Sequence, residues 1–182
     1  MGQVPDKLIF LDVDGVLNND NSDTSQLFIM EPYQLSLLKR ITDRTGAAIV
    51  LSTTWRFDEP SRKKVKDYFE KYRIPAFISV TRNTGGFRVD EIIAWLQDNT
   101  DIEGPISRVI ITPRKNRFPE DIPPDLYQLT DRMHLTKWIA IDDMDLYREG
   151  KNAHFMKGHF VHTNKKFGLT SKDVDQAIRL LQ

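Results

Sequence analysis

The sequence predicts an α/β protein built on a doubly wound parallel sheet, three-layered and Rossmann-like, with helices on both faces. Three observations lead there. Short, continuously apolar runs recur along the chain, at Leu8 to Leu11, Ala47 to Leu51, Ala76 to Val80 and Trp138 to Ile141, which is the pattern of strands buried on both faces. Segments with three-and-four apolar spacing lie between them, so strand and helix alternate. The chain has 182 residues, 40% hydrophobic and 29% charged, enough for one domain around a single core.

Taken in order, Leu8 to Leu11 is the first strand, and it runs into Asp12 and Asp14. Tyr33, Leu37, Leu38 and Ile41 mark a helix that Gly46 stops. Ala47 to Leu51 is the second strand and runs into Ser52. Val65, Tyr68, Phe69 and Tyr72 give a second helix that ends before Pro75, with "SRKKVK" at 61 to 66 on its solvated face. After the run Ala76 to Val80, a third helix carries Val89, Ile92, Ile93 and Leu96 inward. Asp90 and Glu91 sit in its first turn, where the helix dipole favours acids. Residues 98 to 137 break the rhythm: they hold five of the nine prolines and the basic cluster Pro113 to Arg117, and only "RVIIT" reads as a strand. They are read as an insertion or lid within a single domain spanning 1–182. Trp138 to Ile141 runs into Asp142 and Asp143, and a last helix starts near Ser171, capped by Thr170 after the loop "FGLT", with Val174, Ala177, Ile178 and Leu181 inward.

Composition removes several function classes. Without cysteine there is no disulfide, thiolate metal site or cysteine nucleophile. Twenty-six basic residues balance twenty-six acidic ones, so charge alone calls for no polyanionic partner. The apolar runs are too short to cross a bilayer, "MGQVPDK" has no secretory pattern, and Asp6 stands where a myristoylation pattern wants Ser or Thr. The expectation is a cytoplasmic protein with no membrane and no obligate protein partner. His134, His154, His159 and His162 fit no compact zinc spacing.

What remains is the chemistry of the strand ends. In a parallel sheet the carboxyl ends share one edge, so Asp12, Asp14, Asp142, Asp143 and Ser52 converge there. Like charges so close raise one another's pKa or recruit a cation, and an all-oxygen set suits Mg²⁺, which completes its shell with water and substrate phosphate. The chemistry this favours is phosphoryl transfer to a carboxylate.

The stretches "DVDGVLN", "IVLST" and "IDDMD" resemble, in order and spacing, the signature motifs of the haloacid dehalogenase-like (HAD) phosphohydrolases. "FLDVDGVLN", "LSTTWR", "RVDEIIAWL", "IDDMD" and "FGLT" are closest to a small, nearly capless branch, the phosphatase domain found in "Swiss army knife" RNA-repair proteins. The resemblance implies that Asp12 is the nucleophile, forming an aspartyl-phosphate, and that Asp14 is the acid/base, its backbone carbonyl also binding Mg²⁺. Ser52 would hydrogen-bond the phosphoryl group, with Thr53 as the alternative. Asp142 and Asp143 would complete the metal shell, Asp143 as direct ligand and Asp142 as helper. The family's Lys or Arg at a helix start falls on Arg88, with Arg114, Lys115 and Lys137 as rivals. An acid in the Asp14 position is typical of phosphatases and argues against dehalogenation.

Only 37 residues separate Asp14 from Ser52, too few for a full cap, so an open site is expected unless the insertion closes it. Trp55 and Arg56 either stack a base and hold a phosphate, or pack inside and pair locally. The expected activity is a Mg²⁺-dependent phosphomonoester hydrolase acting on a nucleic-acid terminal phosphate or a nucleotide. A phosphoprotein or small-metabolite phosphatase is the alternative within the class, and a catalytically silent binding module on the same fold the alternative outside it. A receiver domain places its acidic pair first, the opposite order to the one here.

Overall fold

A computed structural model describes residues 5–23, 29–112 and 122–182. Five strands, β1 (Lys7–Leu11), β2 (Ala48–Leu51), β3 (Ser79–Val80), β4 (Lys137–Asp142) and β5 (Phe160–His162), form one parallel sheet in the order β3-β2-β1-β4-β5. The helices are α1 (Pro32–Thr45), α2 (Glu59–Lys71), α3 (Arg88–Asn99), the single-turn α4 (Pro124–Tyr127) and α5 (Ser171–Leu181). No described helix is long and apolar enough to cross a membrane.

Period-two alternation divides the core. Ile9, Leu11, Ile49, Leu51, Ile139 and Ile141 face α1, α2 and α5, while Leu8, Phe10, Ala48, Val50, Trp138 and Ala140 face α3. The division follows from chain direction: β1, β2 and β3 step one way across the sheet, and the return from β3 to β4 crosses by α3. Because parallel crossovers keep one hand, reversing direction moves the crossover to the opposite face. Gly46, at φ 67°, ends α1 in the left-handed conformation that glycine adopts without strain, and Thr170 with Asp173 forms a capping box on α5.

Three expectations change. The run Ala76 to Val80 pairs only over its last two residues, because β3 is the edge strand beside a four-residue β2, and Ala76 and Ile78 are exposed. "RVIIT" forms no strand: Arg108 closes a 3-10 turn, Val109 and Ile111 lean on the α3 core, and Ile110 is 80% exposed with no partner strand among the described residues. Conversely β5 arises from "FVH", two apolar residues between histidines, too short to register as a periodic run. The β4 to β5 crossover uses two 3-10 turns, Leu146–Arg148 and Ala153–Met156, in place of a helix.

The described flanks of the 98 to 137 segment are tied to the last turns of α3, the end remote from the carboxyl edge. Gln97 Nε2 donates to the carbonyls of Ile106 and Val109, Asn99 Nδ2 to that of Tyr127, and the Leu129 amide donates to Asn99 Oδ1. Ile122, Leu126 and Tyr127 pack against the α1, α2 and α5 side of the core. Residues 113–121, which include Arg114 and Lys115, lie outside the described residues.

Candidate active site

Register places the chemistry. Leu11 pairs with Leu51 and with Ile141, so the next residues, Asp12, Ser52 and Asp142, stand side by side at the carboxyl edge. The Ser52 amide donates to Leu11 O and the Asp12 amide to Ile141 O, which continues the ladder one step past β1. All three share the parity of Phe10, Val50 and Ala140, hence the face on which α3 packs. Arg88, the first residue of α3, therefore arrives among them. Its Nη1 lies 3.6 Å from Asp12 Oδ1 and 3.3 Å from Asp142 Oδ2.

Asp12, Asp142 and Asp143 each offer a carboxylate oxygen, all within 4.8 Å of one another. Asp12 and Asp142 are buried and Asp143 half-buried. Burial pushes the Asp12 carboxyl above the ordinary range, against the pull of Arg88 and a hydrogen bond from the Thr53 side chain. Asp142 is pushed up to about 7 by burial and by the Asp12 charge, against Arg88 and its bond from the Met144 amide. Burial raises Asp143 as well. Gly15 holds the turn in place: at φ 69°, a Cβ there would stand 2.6 Å from Asp143 Cγ, so only glycine lets the DxDG turn pass beneath that carboxylate. Thr163, just past β5, donates from its hydroxyl to Gly15 O at 2.9 Å.

A buried charge chain stands behind Arg88. Glu91, one turn along α3, accepts from Arg56 Nη2 at 2.7 Å and lies 3.8 Å from Arg88 Nε. Burial pushes Glu91 up, and Arg56 then Arg88 pull it back. Burial also disfavours the Arg88 charge, yet Asp12, Asp142, Glu91 and Glu149 together hold its pKa above the ordinary arginine value. Glu149 accepts from the Val89 amide and so caps α3, whose N-cap residue, Phe87, supplies no capping hydrogen bond from its side chain. The sequence reading of Glu91 as a dipole partner misses this, because its cation lies 35 residues away.

The segment after β2 touches each part of the cluster. Ser52 Oγ is buried with no hydrogen-bond partner among the described residues. Thr53 Oγ accepts the Trp55 amide and caps the 3-10 turn Thr54–Arg56. Trp55 Nε1 donates to Asp14 Oδ2 at 2.9 Å, and Asn18 Nδ2 donates to Asp14 Oδ1 at 2.8 Å. Asp14 is exposed and its carboxylate stands apart from the trio. Of the two readings open for Arg56, the one in which it holds a substrate phosphate is corrected, because the side chain is 1% exposed. Its Nε donates to Thr81 O, its Nη1 to Thr53 O and its Nη2 to Glu91, so the guanidinium is an internal strut. Lys137 opens β4 at the opposite edge of the sheet from Asp142, out of reach of the cluster. The reading of the site missed Glu91, Asn18 and Glu149.

The rim beside β5 is basic and aromatic. His162, Lys165, Lys166 and Phe167 are exposed, and their loop is docked on the turn after β1. The Leu169 amide donates to Val16 O, the Asp20 amide to Lys165 O, and Gln34 Nε2 to Phe167 O.

An all-oxygen trio of this size suits a hard divalent cation such as Mg²⁺: crowded carboxylates, two of them buried and one half-buried, are the donor set it takes, and burial of like charges raises their carboxyls until a cation offsets them. A family model described as "HAD domain in Swiss Army Knife RNA repair proteins" matches residues 8–122. That span includes Asp12, Asp14, Ser52 and Arg88, while Asp142 and Asp143 fall beyond it and enter the site through the sheet. No curated protein and no solved structure matches the chain.

Proposed function

The chain belongs to the family of HAD domains found in Swiss Army Knife RNA repair proteins, a phosphatase-type fold, and from that membership we propose that it is a Mg²⁺-dependent phosphomonoester hydrolase working through an aspartyl-phosphate at Asp12. The observation that carries the reading is the meeting of Asp12, Asp142 and Asp143 within 4.8 Å beside the Arg88 guanidinium. The carboxylates of Asp12, Asp142 and Asp143 and the backbone carbonyl of Asp14 would hold the metal. Bound there, Mg²⁺ would offset the repulsion between a carboxylate nucleophile and an anionic phosphate.

The protein's own groups then divide the work. An Asp12 carboxylate oxygen attacks phosphorus, and the bond to the leaving oxygen breaks with its electron pair staying on that oxygen. Asp14 gives that oxygen its proton. Ser52 Oγ, which has no partner among the described residues, donates to a phosphoryl oxygen, and Arg88 offsets the charge that gathers there. In the second half, water gives a proton to Asp14 and attacks phosphorus. The bond to Asp12 breaks, phosphate leaves, and both acids are restored. The exposed Lys165, Lys166 and Phe167 beside the cleft favour a nucleic-acid end or a nucleotide, since the lysines suit a backbone phosphate and the ring suits a base.

Phosphate release from 3′- and 5′-phosphorylated oligonucleotides, nucleotides, sugar phosphates and phosphopeptides, with and without Mg²⁺, tests this. Turnover is expected to need Mg²⁺ and to vanish in Asp12→Asn. Beryllium fluoride with Mg²⁺ is expected to raise the melting temperature, because that adduct mimics a phosphorylated carboxylate. A folded protein with no metal-dependent turnover on any member of the panel, and no response to beryllium fluoride, overturns the proposal.

A further inference from the structure

A proton carrier works only when held within hydrogen-bond reach of the leaving oxygen, and an exposed aspartate at a turn has several rotamers to choose from. Asp14 is such a residue, yet both of its oxygens are engaged: Oδ2 by Trp55 Nε1–H at 2.9 Å and Oδ1 by Asn18 Nδ2–H at 2.8 Å. Asn18 is itself fixed, because its Oδ1 accepts the Gly15 amide at 2.8 Å. Trp55 is held harder still. It is 6% exposed, in a turn capped by Thr53 and followed at once by Arg56, whose three guanidinium bonds tie the turn to Thr81, Thr53 and Glu91. The rigid partner in the Trp55–Asp14 contact is therefore the indole, and the mobile partner is the carboxylate.

We propose that Trp55 is the positioning residue for Asp14, setting through its indole N–H the rotamer from which Asp14 passes protons to and from the reacting oxygens. With an N–H on each oxygen, a proton carried by Asp14 occupies one of the remaining lone pairs, so its place is set by the two donors. The turn that carries Trp55 begins two residues after Ser52. The hydroxyl proposed to bind the phosphoryl group and the indole that holds the proton carrier are thus parts of one braced segment, which fixes their spacing. This inference rests on the phosphatase reading, and the test separates the two.

Trp55→Phe keeps the ring and removes the N–H. The proton from Asp14 matters when the leaving group is an alkoxide and little when it is a nitrophenolate, because as the P–O bond breaks only the former needs protonation. kcat/KM, which reports steps up to departure of the leaving group, is measured on a primary alkyl phosphate and on p-nitrophenyl phosphate. Trp55→Phe is expected to lose at least about tenfold more on the alkyl ester than on the aryl ester, within the range that general acids contribute. Asp14→Asn is expected to show the same bias more strongly, and Trp55→Phe to add nothing to it in the double variant. An equal loss on both esters, or additive losses in the double variant, overturns the inference and leaves the phosphatase reading intact. A wild type inactive on both esters and on the broader panel overturns both. Independent of turnover, the indole N–H resonance of Trp55, assigned by its absence from Trp55→Phe, is expected to move upfield in Asp14→Asn while those of Trp95 and Trp138 stay. Where Trp55→Phe fails to fold, the resonance is assigned in the wild type by sequential backbone-to-indole NMR correlations, and a Trp55 resonance indifferent to Asp14→Asn overturns the inference.

Discussion

Replacing Asp12 by asparagine separates a cluster kept for chemistry from one kept for stability, because the two roles move the melting temperature in opposite directions. Without metal at pH 8, Asp12 is 5% exposed and has oxygens of Asp142 and Asp143 within 4.8 Å. Two unit charges at that separation repel by about 3.5 kcal/mol at an effective dielectric near 20, and the half-exposed Asp143 contributes less through solvent screening. Arg88, at 3.6 Å, returns about 4.6 kcal/mol. The charge pairs therefore nearly cancel. What remains is the burial of the Asp12 charge itself, several kcal/mol against about 1–3 kcal/mol for a neutral polar group of the same shape. Asparagine sheds the difference, about 2 kcal/mol, which for a chain of this size raises Tm by about 4–8 °C.

The pH dependence has a definite sign. The Asp12 carboxyl and its neighbour Asp142, at about 7, lie above the unfolded value. The penalty is thus fully present above the folded pKa and gone below the ordinary carboxylate range, so the advantage of asparagine shrinks as pH falls from 8 toward 4. With Mg²⁺ the order reverses, since wild type gains binding energy that the variant lacks. Calorimetric melts in chelator at pH 8 and pH 5, then with Mg²⁺, give the three comparisons. An Asp12→Asn protein that melts below wild type in chelator at pH 8, or whose advantage grows toward pH 5, refutes the reasoning.

Other perturbations follow from single contacts. Ser52→Ala deletes a buried hydroxyl with no partner among the described residues, so melts should show stability unchanged or raised by up to about 1 kcal/mol, while kcat/KM falls at least about tenfold. Glu91→Gln leaves the Arg56 charge uncompensated in the core and should cost about 3–5 kcal/mol in urea unfolding; a loss below about 1 kcal/mol would show that Arg56 relaxes to water. Gly15→Ala strains a backbone at φ 69° and drives a methyl to 2.6 Å from Asp143 Cγ. Mg²⁺ affinity by titration calorimetry should fall at least about tenfold, and an unchanged affinity would remove Asp143 from the metal shell.

How far the site was legible depended on where each partner lies in the chain. Asp12 and Asp14 could be read because an apolar run ends immediately before them, and Asp142 because the same happens at β4. Arg88 could be read because it opens a helix of clear three-and-four spacing. Trp55 and Arg56 were open to two readings from the residues alone. Their partners, Asp14, Thr81 and Glu91, lie 41, 25 and 35 residues away, beyond any local pattern. The short β5 and the lone "RVIIT" run failed for a related reason: whether a brief apolar stretch becomes a strand is decided by whether a sheet edge is free beside it.

The sequence by itself determined the parallel α/β class, the strand ends at which the acids stand, and the caps of α1 and α5, because burial periodicity and capping act within a few residues. Only the tertiary structure decided which charges meet. The order β3-β2-β1-β4-β5 sets Asp142 beside Asp12 across 130 residues of chain, and the reversal of direction after β3 brings Arg88 to the same face. The pairing that buries Arg56 on Glu91 and hangs Asp14 on Trp55 comes from that packing, since electrostatic and hydrogen-bond energies depend on distance in space and the sequence records only distance along the chain.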